Sequence, residues 1–384
     1  MSHSYRCRST AATKPRLAGI FAIFLSLAGC TAGDRVNLLH RTGGSAALFE
    51  QFQAFDGRTG AAISFQDVVS RADRADVLLF GEEHSDIVCN ALEAQLLSAL
   101  SRQRRPITLA MEFFETDTQA ALDAYLFGRI SETEFREQTR QKRGYATTHR
   151  PLIEYCRAAS IPVIAANTPR RLIRALRESG RPYDEFRADL DPADRSWLPR
   201  TSDLLDGPYY DRFVKAMADH AMPTSAPSSQ PTSATSAPAA SQPTTQPDRE
   251  EQLLRAYRTQ SLWDDTMAEW MAAHRRNYPE RRVLLVVGAF HVAGGGGTAI
   301  KLHRRRPTDQ ALTIVYRGTS KTPLAFDEAD RGAGDIVIYG VKPEDPPEPA
   351  KPPTTSAPTS APATAPAPHS TGEKTSSNAP VDRV

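Results

Sequence analysis

The stretch Asp76-Val77-Leu78-Leu79-Phe80-Gly81-Glu82-Glu83-His84 decides how the chain reads. Its first half is continuously apolar, as a strand buried on both faces requires. Its second half begins at a glycine, where the backbone can turn sharply without a Cβ penalty. Residues 86–102 follow, with Ile87, Ala91, Leu92, Ala94, Leu96, Leu97 and Leu100 at helical spacing.

The same alternation continues outward. Ile107 to Met111 reads as a strand ending in Glu112-Phe113-Phe114-Glu115, and helical stretches at about 116–140 and 149–159 follow. Pro162 to Asn167 is a third strand and runs into Thr168-Pro169-Arg170. Helices near 169–178, 207–221 and 249–275 precede Arg282 to Val287, the longest strand, which ends in Gly288-Ala289-Phe290-His291. A basic helix near 298–305 and strands near 311–316 and 335–339 close the pattern. Before it, Asp56 to Gly60 reads as a turn between short extended runs. Strand-then-helix order predicts an α/β fold, a mostly parallel sheet flanked by helices on both faces.

The 29 prolines of this 384-residue chain are unevenly spread. Residues 222–248 and 343–384 are runs of Pro, Ser, Thr, Ala and Gln, too poor in apolar side chains to offset their own ordering entropy. They read as a disordered insertion and a disordered tail around one domain spanning 45–342. At the N-terminus, residues 1–29 carry Arg6, Arg8, Lys14 and Arg16 and then an apolar run from Leu17 to Ala28, which is the pattern of a secretory leader. Leu27-Ala28-Gly29-Cys30 resembles a bacterial lipobox, so Cys30 is the expected lipidation site and 30–44 the tether. The expectation is a globule in the cell envelope, held to a bacterial membrane by lipid and facing the periplasm or exterior. Without the leader the chain has 43 basic and 45 acidic residues, which gives no electrostatic footprint for nucleic acid. Cys89 and Cys156 are too few for a disulfide framework and read as buried thiols, with a single pairing as the other option.

Ligands of open α/β sheets bind outside the carboxyl ends of the parallel strands. Two of those ends carry Gly-x-x-His, at His84 and His291, and Glu82 and Glu112 accompany them. Two imidazoles and two carboxylates converging there can ligate a metal through His84 and His291, shuttle protons, or hold a polar cofactor. As an enzyme, the chain would use Glu82, His84, Glu112 and His291 as its catalytic groups. Glu83 and Glu115 read as exposed helix-start acids. Gly294 to Gly297 opens a helix and suits an anion, yet it lacks the spacing of a dinucleotide site. The run from Lys301 to Arg306 reads as a solvated face.

These motifs, in this order, resemble the ChaN-like haem-binding lipoprotein family, whose superfamily also holds erythromycin esterase-like enzymes and the Tiki metalloproteases. The resemblance runs from Asp76–His84 through Leu109–Glu112, Leu122–Leu126, Pro162–Arg170 and Gln260–Ala268 to Gly288–His291. It places the family's Trp-Asp-Asp segment on Asp264 and Asp265. It implies a haem-binding protein serving haem or iron uptake, with two subunits pairing across their haem faces. The segment Gly144-Tyr145-Ala146-Thr147-Thr148-His149 departs from the relatives, so haem ligation falls to Tyr145 or His149. Phe113, Phe114, Tyr145 and Phe290 would wall the haem, Arg170 would meet its propionates, and His291 would stand beside it. The alternative is a metal-dependent hydrolase of esterase or peptidase type, taking a divalent metal at the paired Gly-x-x-His site.

Overall fold

The computed structural model describes Leu48 and residues 50–141, 143–221 and 246–342. The leader, Cys30, the tether and the 343–384 tail lie outside the described residues, as does 222–245 of the insertion. Residues 246–248, assigned to the insertion by composition, already belong to a helix. Pro247 is tolerated there because first-turn N–H groups have no intrahelical partner.

One eight-stranded sheet organises the described chain, in the order β2-β1-β8-β7-β3-β6-β4-β5. The strands are β1 (Phe52–Asp56), β2 (Ala62–Ile63), β3 (Val77–Glu82), β4 (Ile107–Glu115), β5 (Val163–Asn167), β6 (Arg282–Gly288), β7 (Ala311–Thr319) and β8 (Ile336–Val341). The six from β8 to β5 are mutually parallel, and β1 runs antiparallel along β8. The expected α/β architecture is therefore observed.

Helices cover both faces, and β3 shows why. Its residues are all buried. Leu78 and Phe80 pack into one core with α1 (Phe65–Arg74), α2 (Ile87–Ser101), α3 (Gln119–Leu126), α4 (Glu132–Gln138) and α5 (Arg150–Ala159). Val77 and Leu79 point the other way, against Met267 and Met271 of α10 (Gln246–Asn277) and Leu302 of α11 (Gly297–Arg305). Each such aliphatic or aromatic side chain contributes roughly 1.5–3 kcal/mol on leaving water. The remaining helices are α6 (Arg170–Ser179), α7 (Tyr183–Asp189), α8 (Pro192–Ser196) and α9 (Pro208–Ala221). Cys89 and Cys156 are free and buried, so the thiol reading holds.

One helix expected over 116–140 is two. Gly128 adopts φ +69°, and Ser131 caps α4 through a reciprocal box with Glu134. A left-handed glycine followed by Ser-x-x-Glu is a stop and a start. Among the described residues, no helix is long and apolar enough to cross a membrane.

Topology fixes where a ligand can sit. The chain leaves β3, forms β4 and β5, returns to lay β6 between β3 and β4, and then places β7 on the far side of β3. Strand order reverses at β3, and a crevice opens there beyond the carboxyl ends.

Candidate functional site

Parallel register sets Glu82 beside Gly288 at the ends of β3 and β6. Glu82 is buried, and its two oxygens hold two imidazoles: His84 Nδ1 lies 2.8 Å from Oε1 and His149 Nε2 lies 3.1 Å from Oε2. Burial acts to raise the Glu82 pKa, but the hydrogen bonds to His149 and His84 prevail and bring it down to about 2. The ionised carboxylate therefore accepts from His84 Nδ1–H, which leaves Nε2 unprotonated in the neutral ring. That hydrogen bond also lifts His84 above the ordinary imidazole value, against its partial burial. Its side chain is 60% exposed. Ser85, next in sequence, sits at φ 68°, a conformation non-glycine residues seldom adopt, and turns the chain sharply into Asp86, the N-cap of α2.

Glu112 reaches the same rim from β4. The β4–β5 register breaks between Met111 and Glu115, and the freed Glu112 Oε2 accepts from Gly288 N at 2.8 Å. A Cβ on Gly288 would stand 3.1 Å from His84 Cε1 and 3.5 Å from Glu112 Oε2, so both side chains crowd over this glycine. On the other side of Glu112, His291 Nε2 lies 3.6 Å from Oε1. His291 is buried and its Nδ1 lies 2.7 Å from Asp264 Oδ1. Burial works to lower the His291 pKa, yet Glu112 and Asp264 outweigh it and the net shift is upward. Asp264 also accepts from Tyr209 and Thr298, while Gln260 Nε2 donates to Tyr209 Oη.

The strand ends thus bring Glu82, His84, Glu112 and His291 to one rim. They form two acid–imidazole pairs facing each other across Glu112 and can pass protons. They do not gather into one metal-binding set. Among the described residues, the three donors within 4.8 Å of one another are Glu82, Glu93 and His149.

A cleft of about 730 Å³ opens beside His84, within the size range of small-molecule sites. Phe113, Tyr145 and His149 line it, together with Glu112 and four arginines, Arg140, Arg170, Arg171 and Arg174. Phe113 stacks on His149 with ring centres 3.7 Å apart and meets His84 edge-on at 5.5 Å. Arg170 is 75% exposed, with Nε 3.7 Å from Glu115 Oε1. Arg140 and Arg171 are committed to Asp117 and Asp194.

Other expected wall residues lie elsewhere. Phe114, next to Phe113 in β4, is fully buried in the main core, against which Phe113 is only partly buried. Phe290 packs with Tyr209 and Phe213 in a separate cluster. The aromatic wall is accordingly reduced to Phe113 and Tyr145. Tyr145 is buried, and its hydroxyl has no hydrogen-bond partner. Burial first, then Tyr125 and Glu154, pushes its pKa far up, which disfavours the phenolate that ferric iron takes. His149 has both ring nitrogens engaged, by Glu82 and by Thr148.

Three polar readings change. Glu115 is not exposed: it accepts from the Arg170 backbone at the start of α6 and pairs with Arg140. The glycine-rich turn is occupied from within, because a Cβ on Gly297 would lie 2.1 Å from Asp264 Oδ2. Asp264 takes the anion position at the start of α11. Lys301 is buried against Asp265, and Arg305 shares that carboxylate at 2.9 Å, so the basic run is partly an internal ion-pair network. Sequence reading missed Glu93, Tyr209 and Gln260. Only Glu93 left a signal, as an acid within the apolar stripe of α2 beside Cys89, Leu92 and Leu97.

A family model described as haem-binding uptake, Tiki superfamily, ChaN, matches residues 68–302. The structure resembles that of ChaN of Campylobacter jejuni, described as binding haem cofacially, with a TM-score of 0.53 at 17% identity over 75% of this chain and 96% of that one. An erythromycin esterase, EreC, aligns with a TM-score of 0.38 at 11% identity over 76% of this chain and 83% of its own. No curated protein matches the chain.

Proposed function

The chain belongs to the haem-binding uptake family, ChaN, of the Tiki superfamily, and on that premise we propose that it holds haem in the Phe113 cleft with His84 as the iron ligand. The observation that carries the reading is the state of the His84 ring. Glu82 takes its Nδ1–H, and the ring, 60% exposed, lines the cleft with no hydrogen bond at Nε2 among the described residues. A ligating histidine that gives its other N–H to a carboxylate is fixed in tautomer and orientation and made more basic. Tyr145 and His149, which the resemblance put forward, fit less well. The first has a buried hydroxyl whose proton is held tightly, and the second has both nitrogens occupied.

The other lining residues suit the rest of the group. Phe113 offers an aromatic edge to the cleft, and Arg170 with Arg174 offers exposed positive charge for two carboxylates. Haem would supply an iron centre able to take a nitrogen ligand, which His84 would provide. What the chain supplies is orientation: Glu82 holds His84, and His149 holds Phe113 by stacking.

The reading extends to the cell envelope. Cys30 carries lipid, and the domain stands outside the cytoplasm as a haem- or iron-uptake component. Support for this is the basic, apolar and small-residue pattern of 1–30. Two copies face each other across their clefts. Ile87, three residues beyond His84 and 70% exposed, gives that face an apolar contact. Haemin titration of wild-type and His84→Ala protein tests the assignment.

A further inference from the structure

Beneath His84 lies a group of donor atoms that the haem reading does not use. Glu82, Glu93 and His149 are all buried, and each brings one ligand atom within 4.8 Å of the other two. Glu93 projects from α2 and is 0% exposed. Among the described residues no arginine or lysine pairs with it. Its side-chain partners are Glu82, Cys89 Sγ at 3.6 Å and Asn90 Nδ2 at 3.5 Å. Burial first, then the neighbouring Glu82, raises the Glu93 pKa, so the two carboxyls share a proton whose place a cation can take.

His149 is turned to complete such a site. Its Nδ1 lies 3.1 Å from Thr148 Oγ1, and that hydroxyl spends its own hydrogen on Gly144 O at 2.9 Å. Thr148 therefore accepts from Nδ1–H, which leaves Nε2 as the ring atom hydrogen-bonded to Glu82 Oε2 at 3.1 Å, and a metal ion bound between them would replace that hydrogen bond. Two carboxylate oxygens and an imidazole nitrogen face one enclosed point.

We propose that Glu82, Glu93 and His149 bind one divalent first-row transition-metal ion, at a site separate from the haem cleft. Two carboxylates and one imidazole suit Fe2+, Mn2+ or Zn2+. The 3.1 Å between His149 Nε2 and Glu82 Oε2 matches neighbouring ligands that each stand about 2.0–2.2 Å from a shared ion. Thr148 on the far nitrogen of His149 and His84 on the far oxygen of Glu82 orient the ligands from outside. The ion replaces the proton that the two carboxyls otherwise share.

The test uses the full chain, stripped of metal and free of haem, titrated calorimetrically with ZnCl2 and separately with MnCl2, with bound metal counted by mass spectrometry. The expected result is one equivalent of at least one ion per chain and a raised melting temperature. Glu93→Gln should weaken that affinity at least 10-fold while haemin still binds. His149→Gln, a second variant should Glu93→Gln fail to fold, should do the same to the metal. Absence of saturable binding by either ion overturns the proposal, as does binding that both variants leave intact.

Discussion

His291 Nδ1 lies 2.7 Å from Asp264 Oδ1, with both side chains enclosed and the ring joined to β6 by a single short turn. Asp264 accepts from Tyr209 and Thr298 as well, so its carboxylate ties α9, α10 and α11 to the rim. An amide cannot replace it, because one of its two ends would turn N–H groups toward donors. Asp264→Asn should lower stability by about 3 kcal/mol, the scale for breaking a buried charge pair. Chemical denaturation measures this, and a loss under about 1 kcal/mol would show that the network is slack.

Gly297 owes its identity to the same carboxylate. An added Cβ would fall 2.1 Å from Asp264 Oδ2 and 2.7 Å from Tyr209 Cε1. Overpacking of this kind costs about 1–3 kcal/mol. Gly297→Ala should therefore lower the melting temperature although alanine is the better helix former. An unchanged or higher melting temperature would contradict the close packing.

His274 gives the fold an acid sensitivity away from the site. Burial chiefly, then Arg281 and Arg275, depresses its pKa from 6.5 to about 4, and its Nε2 lies 3.0 Å from Thr108 Oγ1. The unfolded chain takes up a proton near 6.5 and the folded chain only near 4, so its contribution is full above 6.5 and is lost as pH falls toward 4. His274→Gln keeps a polar partner for Thr108 and should flatten the stability profile across that window. Melting curves from pH 7 to pH 4 check it, and parallel wild-type and variant profiles would exclude His274 as the cause.

Lipid attachment is the simplest part of the envelope reading to test. In a bacterial host, labelled palmitate should enter the wild-type chain and not Cys30→Ser, and the variant should leave the membrane fraction. Equal labelling of the two would place any lipid elsewhere.

What the sequence disclosed follows from the range of the forces involved. Strand ends were legible because continuous apolar runs such as Leu78–Phe80 and Val283–Val287 stop at a glycine, and parallel topology then sends their successors to one rim. Phe114 was misplaced because the β4 register breaks between Met111 and Glu115, and strand alternation carried on from Leu109 and Met111 does not predict its burial in the main core. Lys301 looked solvated because its partner, Asp265, belongs to another helix, and no local spacing encodes that contact. The Glu82–His149 contact crosses 67 positions and depends on how α5 docks, which periodicity does not report. Glu93 was readable as a charge in an apolar stripe, a mismatch that asks for a buried partner.

His84 is the residue proposed to ligate iron in the cleft. Haemin titration of the full chain, followed at the Soret band, measures that ligation directly. The wild type should show a saturable shift at one haem per chain, His84→Ala should lose the shift or weaken the affinity at least 10-fold, and Tyr145→Phe should stay close to wild type. A wild-type chain without saturable change, or a shift that survives His84→Ala and vanishes in Tyr145→Phe, would contradict the assignment.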